Sequence, residues 1–265
     1  KKETRKSVSL DLQKMDTRLA SAFIETAYAL GHDPIELVHG NQLKNYLGAD
    51  SVETNQFLQD FVNEKCIGSE IIEQTSKRTV LKDLGGGVDE ESIDNVFQRV
   101  LFIMKMMSQD VLSALQAGDR QHLQSQHLKT KNISKLLLYY ARVLNTSKLS
   151  TNTIRIRNSM LAYLRFMNST YKVLIRETLR TKKFYSKNSV ALFSNVTTHI
   201  HDMISLLLKF NEERAIEFID KREQTWKNIY TFKPVKEDYL LYSHLGALMG
   251  STWFVAKHQI ALHNN

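Results

Sequence analysis

The stretch "GSEIIEQTSKRTVLKDLGGGVDEES", residues 68–92, decides the fold. Two β-type runs, residues 70–75 and 78–84, stand back to back with only Ser76 and Lys77 between them. Short runs rich in Ile, Val and Thr with so tight a junction predict a pair of adjacent strands. Gly85, Gly86 and Gly87 follow, without the Gly-Lys-Ser/Thr ending of a phosphate-binding loop. From Glu90 the period changes. Ile93, Phe97, Val100, Leu101, Met104, Val111 and Leu115 recur at helical spacing and form one apolar stripe that runs to Gly118. Strand chemistry ends at the glycines, and helix chemistry takes over.

Upstream of the glycines the periods are mixed. "TRKSVSLDLQ" alternates at Val8, Leu10 and Leu12, as a half-buried strand does. "TRLASAFIETAYALG" sets Leu19, Phe23, Ala27 and Leu30 on one helical face, with Gly31 placed to end the helix. "DPIELVHG" restarts extended after Pro34. "SVETNQFLQDFVNEKCIG" predicts a helix capped by Ser51 that carries Phe57, Leu58, Phe61 and Val62 inward. These elements make a small α+β domain over residues 1–88.

Downstream, apolar periodicity predicts further helices near residues 120–144, 151–181, 190–210, 212–230 and 235–263. Leu128, Ile133, Leu136, Leu137 and Tyr140 form the apolar face of the first of these, and Pro234 suits the entry of the last. The order long, medium, long occurs twice, a period of roughly 85 to 95 residues. The expected architecture is therefore an α+β N-terminal segment followed by a mainly α region. That region would comprise two tandem antiparallel three-helix repeats, over residues 89–183 and 184–265.

Charge separates the two parts. Residues 1–88 hold 11 Lys and Arg against 13 Asp and Glu, of 36 and 28 in the whole chain. The net excess of +8 thus belongs to the helical part, a field that draws phosphates, nucleic acid, acidic protein surfaces or anionic headgroups alike. A single cysteine, Cys66, excludes an internal disulfide framework, suits a reducing cytoplasm and reads as a buried, inert thiol. Lys1 in place of a methionine reads as the start of a fragment or processed product, and the charged start has no signal-peptide pattern. Residues 239–256, "YLLYSHLGALMGSTWFVA", are 18 residues without a formal charge. Their Ser243, His244, Ser251 and Thr252 favour a buried core helix over a membrane span.

Catalytic motifs are missing. The sequence has no Gly-x-Ser-x-Gly, His-Glu-x-x-His or Cys-x-x-Cys, and no nucleophile–base constellation. His199 and His201, two apart on a helix, point to different faces and read as exposed or capped histidines. Gly246 and Gly250 have the spacing that lets helices approach closely, with packing inside the repeat as the first reading and a dimer contact as the second. Trp226 and Trp253 read as anchors of apolar faces. Arg165, Lys172, Arg176 and Arg180 form one basic stripe along the third long helix. A solvated face is the plain reading of that stripe, and a docking surface for an acidic or phosphate-bearing partner is the functional one. No aromatic side chains interleave with it, which disfavours single-stranded nucleic acid.

The segments "IGSEIIEQTSKRTVLKDL" and "SIDNVFQRVLFIMKMMSQDVLSALQAGD" resemble archaeal PhoU-type phosphate-uptake regulators, with the likeness strongest over residues 60–145. Such proteins often carry an AbrB-like DNA-binding module ahead of this region. The resemblance implies a cytoplasmic, non-enzymatic, homodimeric regulator that docks on a phosphate-transporter ATPase subunit or a signalling protein. The alternative it implies is the sensor and dimerisation part of a transcriptional regulator, with DNA contacted only through a module absent from this chain. Family members hold metal clusters with carboxylate pairs one helical turn apart, which share a face and can chelate. Here the corresponding positions read Thr130 and Ser134, Leu164 and Asn168, Glu223 and Lys227, and Gly246 and Gly250. Only Glu223 keeps a carboxylate, so neither metal nor another cofactor is expected. Glu212, Glu213 and Glu217 read instead as acids near a helix start, facing its dipole.

Overall fold

The computed structural model describes residues 6–48, 50–85, 90–181 and 184–264. The expected boundaries at 88/89 and 183/184, and the glycine junction at Gly86 and Gly87, adjoin or fall on residues outside those described. A small N-terminal segment of strands and helices is followed by a region of six helices. The chain forms two compact units. The first takes the described residues up to Asp94 together with Lys135–Leu149, and the second takes Asn95–Ser134 and the described residues from Ser150 onward.

In the first unit, β1 (Val8–Asp11) runs parallel to β2 (Ile35–Val38), with α1 (Thr17–Ala29) as the crossover. The hairpin predicted from the opening stretch forms as β5 (Ser69–Gln74) and β6 (Arg78–Asp83). β6 pairs antiparallel with β2 and with β5, giving the strand order β1-β2-β6-β5. The edge strand β5 is disturbed between Ile71 and Glu73 and carries exposed Glu70 and Glu73, a combination that discourages pairing with another chain.

Two local expectations are corrected. Ser51 does not cap a helix. It opens β4 (Ser51–Glu53), which pairs with β3 (Gln42–Lys44) in a second small sheet. Glu53 is the cap of α2 (Thr54–Lys65), its carboxylate accepting from the backbone N–H groups of Asn55 and Gln56 at 3.1 and 2.5 Å. Helix α1 also turns differently from its simplest reading. Ala20, Ile24, Ala27 and Tyr28 are buried, while Leu19, Phe23 and Leu30 stand half exposed. The helix is apolar on two faces, and the one bearing the smaller side chains plus Tyr28 fits the core. Gly31 sits at φ +82°, as the left-handed stop after α1 requires.

The core of this unit joins Leu12, Ile24, Tyr28, Leu37, Leu58, Phe61, Leu81 and Leu138. Leu138 comes from α4 (Arg120–Asn145), so the end of a helix remote in sequence completes the α+β core. Arg142 on the same stretch is 3% exposed. Its guanidinium donates to the carbonyls of Tyr28 and His32 at 2.8 and 3.3 Å and to an Asp83 carboxylate oxygen at 3.2 Å, and it lies over the Tyr28 ring. Cys66 is buried, and burial pushes its thiol up to about 12, in keeping with an inert side chain.

The second unit contains most of α3 (Glu90–Ala117), the first half of α4, and α5 (Thr151–Arg180), α6 (Lys187–Leu208), α7 (Glu212–Thr231) and α8 (Tyr239–His263). The α8 helix begins later than its pattern suggests, after a 3-10 turn at Lys236–Asp238. Its charge-free run packs against α5, α6 and α7, burying Leu241, Leu245, Leu248, Met249 and Val255. A helix surrounded on several sides must be apolar nearly all round, which accounts for the 18 uncharged residues. Among the described residues no helix is long and apolar enough to cross a membrane. Asp238, 1% exposed, accepts from the backbone N–H and the hydroxyl of Ser186 at 2.8 and 2.6 Å, tying the start of α6 to that of α8.

Candidate functional site

The basic stripe lies on α5. Arg165, Lys172, Arg176 and Arg180 are spaced by seven, four and four residues, which keeps them on one side of a helix, and all four are exposed. Their electrostatics differ. Arg176 and Arg180 both pair with Glu177, at 2.7 and 3.2 Å, and the Arg176 hydrogen bond holds the Glu177 carboxyl below its ordinary range. Lys172 makes no ion pair or hydrogen bond among the described residues. Lys172 is therefore an uncompensated cation within the stripe, next to the Arg176–Glu177–Arg180 cluster.

The positions where carboxylate pairs would stand are distributed unequally. Thr130, Ser134 and Asn168 come together: the Asn168 side-chain amide donates to the Thr130 carbonyl at 3.0 Å and to the Ser134 hydroxyl at 2.9 Å. These bonds fix the register of α5 against α4. Asn168 is 3% exposed and Thr130 and Leu164 are fully buried, so this is a packed seam. In the other set, Glu223 and Lys227 are exposed on α7. Gly246 lies against the Trp226 ring, whereas a side chain at Gly250 would meet nothing within 4 Å. Close approach is thus required at most at one of the two glycines. Among the described residues, no three or more His, Cys, Asp or Glu side chains come together in a way that could hold a metal ion.

The seam held by Asn168 has an outer side. His127 and Lys131 occupy the same face of α4, four residues apart, and Lys172 lies on α5 one turn beyond Asn168. Partial burial, then the ammonium groups of Lys172 and Lys131, hold His127 below its ordinary pKa. Lys131, like Lys172, is exposed and has no hydrogen-bond or ion-pair partner among the described residues. Leu128, expected on the apolar face, is instead 70% exposed beside them. Asp110 of α3 pairs with Lys129 and stands 4.0 Å from His122. Sequence spacing alone finds the α5 stripe but misses His127 and Lys131, because they join it only through the α4–α5 register.

Of the two histidines expected to be exposed or capped, only His199 departs from that expectation. His199 is 2% exposed, stacks on Phe218 with ring centroids 4.2 Å apart, and neither ring nitrogen has a partner. Burial pushes it down to about 4. His201 is half-buried and its Nε2 lies 2.9 Å from the Ser108 hydroxyl. That hydroxyl donates to the Lys105 carbonyl, so it accepts from His201 and is not poised as a nucleophile. Trp253 lies beneath the Arg222 guanidinium, and Trp226 stacks on Tyr230. Both are half-buried anchors. Glu212 and Glu213 occupy the first turn of α7, as expected of all three acids, whereas Glu217 lies a turn further along.

No known protein family, no curated protein and no solved structure matches this chain.

Proposed function

We propose that this chain is a non-enzymatic regulator whose helical region docks on an acidic surface of a partner protein. The observation that supports this reading is the exposure of Arg165, Lys172, Arg176 and Arg180 along one side of α5. By the resemblance described above, the six helices are two PhoU-like repeats. The partner is then a phosphate-transporter ATPase subunit or a signalling protein, and the output is control of phosphate uptake or phosphate-responsive expression. The chain works in the cytoplasm as a homodimer. Charged groups on an exposed face set encounter rate and partner choice more than fold stability, so losing them leaves the fold intact and removes the partner.

The test is co-purification with the transporter ATPase subunit of the source cell, using the natural chain and a variant with all four stripe residues changed to Glu. Docking predicts that the natural chain retains the subunit at low salt and that the variant, equally folded by circular dichroism, does not. Equal retention by both would remove the stripe from the mechanism. A gel shift of duplex DNA by this chain alone, weakening steeply with salt, would favour direct nucleic-acid binding instead.

A further inference from the structure

We propose that the α4–α5 seam around His127, Lys131 and Lys172 is a proton-coupled docking site for an acidic, leucine-bearing protein segment. The proposal rests on the docking reading above: it keeps Lys172 from the stripe, adds His127, Leu128 and Lys131 of α4, and adds a pH response. It begins with the Asn168 bonds to Thr130 and Ser134, which fix two antiparallel helices in register. One turn further along, this register brings Lys172 from one helix alongside His127 and Lys131 from the other. Both lysines lack counter-ions among the described residues. Two uncompensated ammonium groups beside an imidazole repel one another and oppose its protonation. Among the described residues no carboxylate pairs with either lysine.

Charge complementarity identifies an anionic occupant, and Leu128 decides its kind. A leucine 70% exposed one turn from Lys131 offers an apolar anchor on the helix that carries the cation. A nucleic-acid backbone has no use for such an anchor, whereas an acidic amphipathic peptide presents leucine and carboxylate together. The occupant also changes the histidine. In the free chain partial burial and then the ammonium groups of Lys172 on α5 and Lys131 on its own helix hold His127 below its ordinary pKa. Carboxylates placed over the seam reverse the sign of that field and favour the imidazolium. Binding then takes up about one proton, and by linkage the complex strengthens as pH falls.

The experiment uses the full chain and fluorescence anisotropy with two labelled probes: a helical peptide of Glu with Leu at every third or fourth position, and poly-Glu of the same length. Both stay ionised between about pH 5.5 and about pH 8. The Glu–Leu peptide is expected to bind roughly three- to tenfold more tightly at the lower pH. His127→Gln should keep binding but flatten that dependence. Lys131→Ala with Lys172→Ala should weaken binding at both pH values, and Leu128→Ser should bring the Glu–Leu peptide down to the poly-Glu level. All four residues are at least partly exposed, so the variants should fold, which circular dichroism checks. The inference is overturned if His127→Gln retains the full pH dependence. It is also overturned if the double lysine variant binds normally while Arg176→Glu with Arg180→Glu does not, a result that leaves the broader docking reading standing. Failure of both probes at low salt would sink the two together. Equal competition by duplex DNA would overturn the choice of occupant.

Discussion

Arg142 in the first unit and His199 in the second are both basic side chains on helices, 3% and 2% exposed, and only one is supplied with partners. Arg142 has two backbone carbonyls, the Asp83 carboxylate and the Tyr28 ring. Both terminal nitrogens of its planar fork meet acceptors and its face meets an aromatic ring. His199 has a ring stacked on Phe218 and no partner at either nitrogen. It remains buried only by staying neutral. The comparison teaches that a buried base can lock a core or make it sensitive to protons, according to whether the fold supplies acceptors.

The largest effect should come from removing the locked group. Arg142→Met removes the guanidinium beside the Asp83 carboxylate and leaves the Tyr28 and His32 carbonyls without this donor. The expected cost is about 3–5 kcal/mol in urea unfolding of the full chain, the range for breaking one side of a buried pair. A loss below about 1 kcal/mol would mean that water reaches the pair and that the contrast with His199 is false.

His199 should show itself through pH. Its folded value, about 4, lies below its ordinary value of 6.5, so on acidification the unfolded chain takes up the proton first. The stability due to neutral His199 is complete above about pH 6.5 and is lost as pH falls toward 4, by up to roughly 3 kcal/mol. Carboxylates titrate in the same window, so the measurement is a difference between two proteins. His199→Phe keeps an aromatic ring against Phe218 and cannot protonate. Urea midpoints of the two chains should agree near neutral pH and diverge below about pH 6, with the variant the more stable. Parallel curves would show that His199 finds a partner in solution.

These contrasts also show what the sequence could reveal. The β5–β6 hairpin and the ends of α3, α4 and α5 were legible because period, turn chemistry and the Gly118-Asp119 junction agree locally. The stripe on α5 was legible for the same reason: spacing along a single helix determines its side. The β3–β4 hairpin was not, because three-residue strands carry no period and Ser51 satisfies a helix-cap pattern equally well. The buried face of α1 was ambiguous because apolar residues occur on two sides, and only the volume of the sheet beneath chooses between them. His127 and Lys131 lie more than 40 residues from Lys172. Their meeting depends on the Asn168 bonds, and no local pattern encodes it. The place of residues 135–149 in the first unit was hidden for a related reason, since one unbroken helical period crosses from one core to another.

Glycines give the smallest test of the same contrast between a demanding and a permissive environment. In the first unit Gly31 is at φ +82°, and a side chain there would collide with the Thr146 methyl group. Gly31→Ala should cost about 1–3 kcal/mol, combining left-handed strain with the clash. In the second unit Gly250 lies inside α8, with nothing within 4 Å of an added Cβ. Gly250→Ala should therefore stabilise the chain by about 0.5–1 kcal/mol, through the lower entropy of the unfolded state and better helix propensity. The sign at Gly250 is informative beyond folding. If the alanine raises the melting temperature but weakens self-association in sedimentation, the open side of α8 is a contact between copies, and the glycine is there for that contact. If the alanine raises stability and leaves association unchanged, the Gly-x-x-x-Gly spacing carries no packing role outside Gly246 and Trp226.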